Sequence, residues 1–141
     1  MNIDFVKKLE VAYHQQCKGI CDEFHLKQTG FAILMFLGNN PQYKHARDIV
    51  EIRKIKANLV SIHVDQLVEQ GYLSRINVPG DRRKVELVLN EKAQEVIEKG
   101  KVFQKYFFAS LFLDIDEKNR KIFKETLELM EKNIDNLLEE K

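Results

Sequence analysis

Residues 65–89 read DQLVEQGYLSRINVPGDRRKVELVL, and the order of signals within them decides the fold. The first residues close a helical repeat in which Leu59, Val60, Val64, Leu67 and Val68 recur at three- and four-residue spacing, and Gly71 is its natural stop. The period then changes. Residues 72–77 and 84–89 are short, rich in β-branched side chains and partly alternating, while Val78-Pro-Gly-Asp-Arg-Arg83 between them is turn material. An antiparallel hairpin with a basic tip follows a helix directly.

Upstream, the helix over 56–70 is preceded by the polar connection Arg53-Lys-Ile-Lys56 and by a short helix, 44–52, with Ala46, Ile49 and Val50 inward. Two helices joined so tightly have helix-turn-helix spacing, and a hairpin behind the second is the wing of a winged helix. Farther out, residues 31–37 are apolar all round, which predicts a helix buried inside the fold and ended by Gly38 as its C-cap. Apolar residues at 5, 6, 9, 12, 13, 17, 20, 21 and 24 predict a long first helix over 3–25. Asn90 is an N-cap for a helix over 91–112, and Asp116 caps a last helix over 117–138. The fold class is therefore mainly α with a small β-hairpin wing (α+β). It is a winged helix-turn-helix of residues 27–90 inside one domain, 1–141, with long dimerisation helices over 3–25 and 91–141. A monomer of 141 residues has little body against which three aromatic-rich terminal helices can bury their faces. Packing between copies as a two-fold homodimer would bury them and set two reading heads on a palindromic DNA site.

Composition narrows the function. The chain is 44% hydrophobic and 32% charged, enough to bury a core, and its longest apolar run, seven residues, is far short of a membrane span. Its N-terminus carries charge where a signal peptide would be apolar, so a cytoplasmic location is expected. The net charge of +1 hides an uneven distribution: residues 44–90 hold nine basic and six acidic side chains, whereas 91–141 hold ten basic and twelve acidic. No Gly-rich phosphate loop, nucleophile elbow or His-Glu-x-x-His pattern occurs, so no enzyme is expected.

With these features in place, the chain resembles the MarR family of transcriptional regulators over nearly its whole length. The most specific stretch is 65–89, which matches the family's sequence of recognition-helix end, glycine, wing strand, Asp-x-Arg tip and second wing strand. Lys56-Ala-Asn58 departs from the Ser-Arg-Ser-like start of the family's recognition helix. The resemblance implies a repressor of double-stranded DNA released by a small-molecule effector, with no cofactor. It also implies that Arg83 is the wing arginine that enters the minor groove, where A·T-rich segments concentrate negative potential.

Independently of the family, a helix entering the major groove presents its first two turns to base edges, which makes Lys56, Asn58, Ser61 and Ile62 the candidates for reading bases. Asn pairs with adenine, Lys with guanine or phosphate, and Ile with a thymine methyl group. Asp81 either orients the Arg83 guanidinium or caps the turn, and Arg53, Arg75, Arg82 and Lys84 are placed to meet phosphates. The family's ligands occupy a cleft between dimer helices and reading head, which by resemblance would be lined by Tyr13, His14, Cys17, Phe31, Met35 and Phe36. His14, Cys17, Cys21 and His25 share a stripe of the first helix. The stripe leaves two alternatives to simple packing of the thiols, a redox- or metal-responsive regulator using Cys17 and Cys21. A third alternative is a winged helix that binds protein, although the wing keeps Arg82, Arg83 and Lys84.

Overall fold

A helix that is apolar all round needs neighbours on every side. In the computed structural model, which describes residues 3–140 with the side chain of Arg82 outside the described set, that helix is Gln28–Asn39, α2, and Gly30, Phe31 and residues 33–37 are buried in it. It starts earlier than the apolar run alone predicts, because Gln28 and Thr29 continue the turn from Lys27. Around it come α1 (Ile3–Glu23), α3 (Ala46–Arg53), α4 (Ala57–Glu69), β1 (Leu73–Val78), β2 (Asp81–Leu89), α5 (Glu91–Leu111) and α6 (Glu117–Glu139). The chain forms two compact units, divided within α5 between Lys105 and Tyr106. This mainly helical fold with a two-stranded antiparallel hairpin is the winged helix-turn-helix that the sequence predicts.

In the first unit, α2 packs against α1, α4 and β2. The core is Cys17, Cys21, Phe31, Ile33, Leu34, Ile49, Val60, Val64, Leu67, Leu73 and their neighbours, down to Ala93, Val96 and Ile97 of α5. Polar ties hold the ends. Tyr72 Oη donates to the Phe24 carbonyl at 3.0 Å, Gln70 Nε2 to the His25 carbonyl at 3.0 Å, and Lys99 Nζ meets Glu23 at 2.7 Å.

Two residues assigned as caps do other work. Gly38 lies inside α2, and a Cβ there would stand 2.9–3.1 Å from three side-chain atoms of Ile97, so its role is close approach of α5. Asn90 does not cap α5 with its side chain: its Nδ2 donates to the Gly71 carbonyl at 3.0 Å and its Oδ1 accepts from Ser74 Oγ at 2.7 Å, which fastens the base of the hairpin to the end of α4. The hairpin turn is also tighter than the six-residue segment the sequence suggests. Strand β2 begins at Asp81, and Pro79 with Gly80 at φ 84° supplies the pair that a type II turn requires.

The second unit contains the end of α5 and α6. Arg120 donates to the carbonyls of Phe112 (2.9 Å) and Ile115 (2.7 Å), satisfying orphan acceptors after α5, and Asp116 caps α6 by accepting from the Asn119 N–H at 2.8 Å. Phe112 and Phe123 meet edge to face at 5.6 Å. Helix α6 buries no side chain.

The glycines give a paired test. Gly38→Ala forces a methyl against the branched Ile97 side chain and should lower stability by ~1–3 kcal/mol. Gly19→Ala, in α1 with nothing within 4 Å of the added Cβ, should instead raise it by up to ~1 kcal/mol. Urea unfolding of both variants beside the parent measures the difference.

Candidate nucleic-acid interface

The reading head is built from α3, α4 and the hairpin. The turn between the helices is set by Lys54, which adopts the left-handed conformation (φ 55°, ψ 40°) as C-cap of α3, and Lys56 is the residue before α4. Val60, Val64 and Leu67 bury the inner side of α4. Its other side leaves Asn58, Ser61 and Ile62 exposed, as the sequence predicts for base-reading residues, and Lys56 and Arg53 are exposed beside them. Leu59 is a residue that sequence reasoning placed inward. It is 40% exposed and flanks Ile62, which is 49% exposed. The apolar stripe could be drawn equally well without it, since 60, 64 and 67 already carry the helical period. His63, half-buried, is held below its ordinary pKa mainly by that burial and secondarily by Lys27, so it brings no charge to the helix at neutral pH.

The hairpin is anchored on both edges. Leu87 N–H donates to the Lys44 carbonyl at 2.7 Å, and His45 Nδ1 lies 3.1 Å from the Val85 carbonyl, which docks β2 onto the chain entering α3. The N–H of His45 donates to Asp48 Oδ2 at 3.1 Å, fixing the start of that helix. On the other edge Arg75 of β1 pairs with Asp65 of α4. Arg75, a candidate for phosphate contact, pairs in the structure with Asp65, both side chains staying exposed, and the pair links the hairpin to α4.

The strands pair regularly from Leu73↔Leu89 to Asn77↔Val85, and the next pair is Val78↔Asp81. The backbone of Arg82, Arg83 and Lys84 falls between these pairs in a bulge at the tip of the wing. Asp81 settles the choice left by the sequence: its Oδ1 accepts from the Arg83 N–H at 2.9 Å, capping the bulge through the backbone. The side chains of Arg83 and Lys84 are exposed; that of Arg82 lies outside the described residues. Between α3, α4 and the hairpin runs a cavity of about 440 Å³ whose apolar floor includes Val50, Val60, Val64 and Leu87 and whose rim includes Arg47 and Arg75.

The residues expected to line a ligand cleft are mostly packed. Cys17, Phe31, Met35 and Phe36 are 1–6% exposed, because α2 has no polar face to leave open. Tyr13 is half-buried with its Oη accepting from Gln104 Nε2 at 2.9 Å, and His14 is exposed.

Residues 26–84 match the model of the MarR family. No curated protein sequence matches the chain. Among solved structures, a MarR transcriptional regulator from Methanosarcina mazei Go1 superposes with a TM-score of 0.82 at 20% identity, covering 95% of this chain and 96% of that one. A MarR protein from Peptoclostridium difficile gives 0.83 at 20% identity, over 95% and 87%. The structure of S. aureus MepR in a complex with DNA gives 0.79 at 14% identity, over 94% and 98%. At these identities the superpositions speak for a shared fold.

The thiols stand apart from this interface. Burial pushes the Cys21 thiol up to about 11 and raises that of Cys17, and it pushes the Tyr13 hydroxyl up to about 12. Neutral thiols that solvent does not reach are poor nucleophiles and poor metal ligands, and among the described residues no group of three His, Cys, Asp or Glu is placed to hold a metal ion. Each of these groups favours its protonated form more strongly when folded, so its contribution to stability is complete below the unfolded pKa and is lost as pH rises through the folded one. Thermal stability should therefore fall from about pH 9 to about 11 through Cys21, then further to about 12 through Tyr13. Cys21→Ala should flatten the first part of that slope. Melting temperatures across this range measure it.

Proposed function

We propose that the chain, whose residues 26–84 match the MarR family model and whose fold is shared with MarR structures, is a MarR-family winged-helix protein and a sequence-specific DNA-binding transcriptional regulator, a homodimeric repressor working on a palindromic operator in the cytoplasm. The observation that carries the reading is the wing tip, where a bulge raises consecutive cations clear of the hairpin while the first two turns of α4 stay open to solvent. Phosphate contacts by Arg53, Lys56 and Lys84 supply affinity, Arg83 reads minor-groove shape, and Asn58, Ser61 and Ile62 read base edges. A winged helix that docks on protein does not need this concentration of charge. No helix among the described residues is long and apolar enough to cross a membrane.

Dimerisation is supported by what the terminal helices leave exposed. Phe5 and Val6 of α1 are 55% and 53% exposed, and Ile122, Phe123, Ile134 and Leu138 of α6 are all 50% exposed or more. Surfaces of this kind mark interaction sites. A small-molecule effector has its support in the family resemblance and in the cavity beside α4, which is lined mainly by apolar side chains, with Arg47 paired to Glu51 and Arg75 paired to Asp65.

Two measurements test the reading. At micromolar concentration the protein should sediment at about twice its 16.6 kDa chain mass, and Ile134→Asp should shift it toward the monomer. On its preferred duplex Arg83→Ala should cost ~1–3 kcal/mol of binding, with a smaller loss on a scrambled duplex, whereas Lys84→Ala should weaken both alike and flatten the salt dependence. Equal losses for Arg83→Ala on both duplexes would remove its reading role.

A further inference from the structure

The exposed side of α4 is chemically lopsided. Its outermost line is Asn58, Ile62, Asp65 and Glu69, with Ser61 and Leu59 on the flanks. The C-terminal half of the line is acidic, and Asp65 is taken up by Arg75. Only the first two turns can face a polyanion. There the exposed side chains are Ala57, Asn58, Leu59, Ser61 and Ile62, and no arginine occurs anywhere in the helix. Lys56, which reads guanine or phosphate, stands outside the first turn.

Resting on the DNA-binding reading above, we propose that this recognition helix discriminates its operator mainly by thymine methyl groups, contacted by Ile62 and Leu59, with Asn58 pairing to an adenine beside them. Each side chain fits that chemistry. The C5-methyl of thymine is the apolar feature of the major-groove edge, and an amide pairs bidentately with adenine N6 and N7. Asn58 and Ile62 are separated by about one helical turn, about 6 Å along the axis, near two base steps of about 3.4 Å, so they address base pairs about two steps apart within one half-site. Leu59 at 40% and Ile62 at 49% exposure have side-chain surface left to bury on docking. Charge favours DNA over a protein partner for this apolar pair: Arg53, Lys54 and Lys56 are exposed before the helix, and Arg83 and Lys84 are exposed on the wing.

Uracil in place of thymine removes the methyl and leaves the hydrogen-bonding edge unchanged, which makes the idea separable from DNA binding itself. The full chain is first used to enrich a duplex from a random library, and the enriched site is then remade with uracil at each thymine in turn. Uracil at one or two positions per half-site should lower affinity by about 4-fold per contacted methyl, ~15-fold when one such position is changed in both half-sites. Ile62→Ala combined with Leu59→Ala should bind the thymine duplex more weakly and lose the distinction between thymine and uracil. An enriched site bound equally well with uracil throughout would overturn the proposal while leaving the regulator reading intact, as would a double variant that still distinguishes the two bases. If no sequence is enriched, the DNA-binding reading fails first, and the exposed apolar pair belongs to a protein contact.

Discussion

Helix α2 offers water almost nothing, and the first unit is arranged around that constraint. A helix buried along most of its surface needs partners at several angles, and here they come from α1, α4, β2 and the first half of α5. Each partner meets it with a different device. Gly38 and Gly100 let α5 approach closely, at Ile97 in one place and at Met35 and Phe31 in the other. Leu67 of α4 lies 3.5 Å from where a Cβ on Gly30 would stand. Cys17 and Cys21 are the small apolar groups with which α1 joins the same core. Their sequence spacing suggests chemistry, but their surroundings favour a neutral and inert thiol.

The position of the reading head follows from this packing. Because α4 packs on α2, with Leu67 beside Gly30, and buries Val60, Val64 and Leu67, the opposite line of the helix is turned outward without any contribution from the polar residues on it. The hairpin is then held beside that line by directional bonds instead of by area: a backbone bond to Lys44, the His45 ring near Val85, the pair of Arg75 with Asp65, and the Asn90 amide spanning Gly71 and Ser74. A surface ion pair such as Arg75 with Asp65 adds little to stability. Its effect is on direction, since it ties β1 to α4.

Much of this was legible in the sequence because the relevant signals are local. Helical period, the change of period after Gly71 and a Pro-Gly turn are properties of short stretches, and they place α3, α4 and the wing within a few residues of where they lie. What escaped depends on contacts between distant segments. Gly38 next to Asn-Asn-Pro has the form of a helix stop, and only Ile97, 59 residues later, shows it to be a packing glycine. Asn90 has the composition of a cap, and its real partners are set by the folded hairpin. Arg75 reads as a free cation until Asp65 is brought beside it. Leu59 sits at the edge of the apolar stripe, where period alone gives no side. The residues expected at a ligand cleft are mostly packed for a different reason: a run of aromatic and sulfur side chains is also what a densely packed core requires.

The bulge at the wing tip also bears on how such a protein can change over generations. In a flat hairpin, adding or removing one residue slips the register and turns every later side chain to the opposite face. Here the regular ladder ends at Asn77↔Val85, and Arg82, Arg83 and Lys84 are absorbed between that pair and Val78↔Asp81. Insertions or deletions at this point are taken up by the bulge, so the inward direction of Leu87 and Leu73 is preserved while the reach and charge of the tip vary. The fold thus separates a base fixed by strand pairing from an adjustable end, and a change in the length of the wing can alter the reach of its tip without endangering the core.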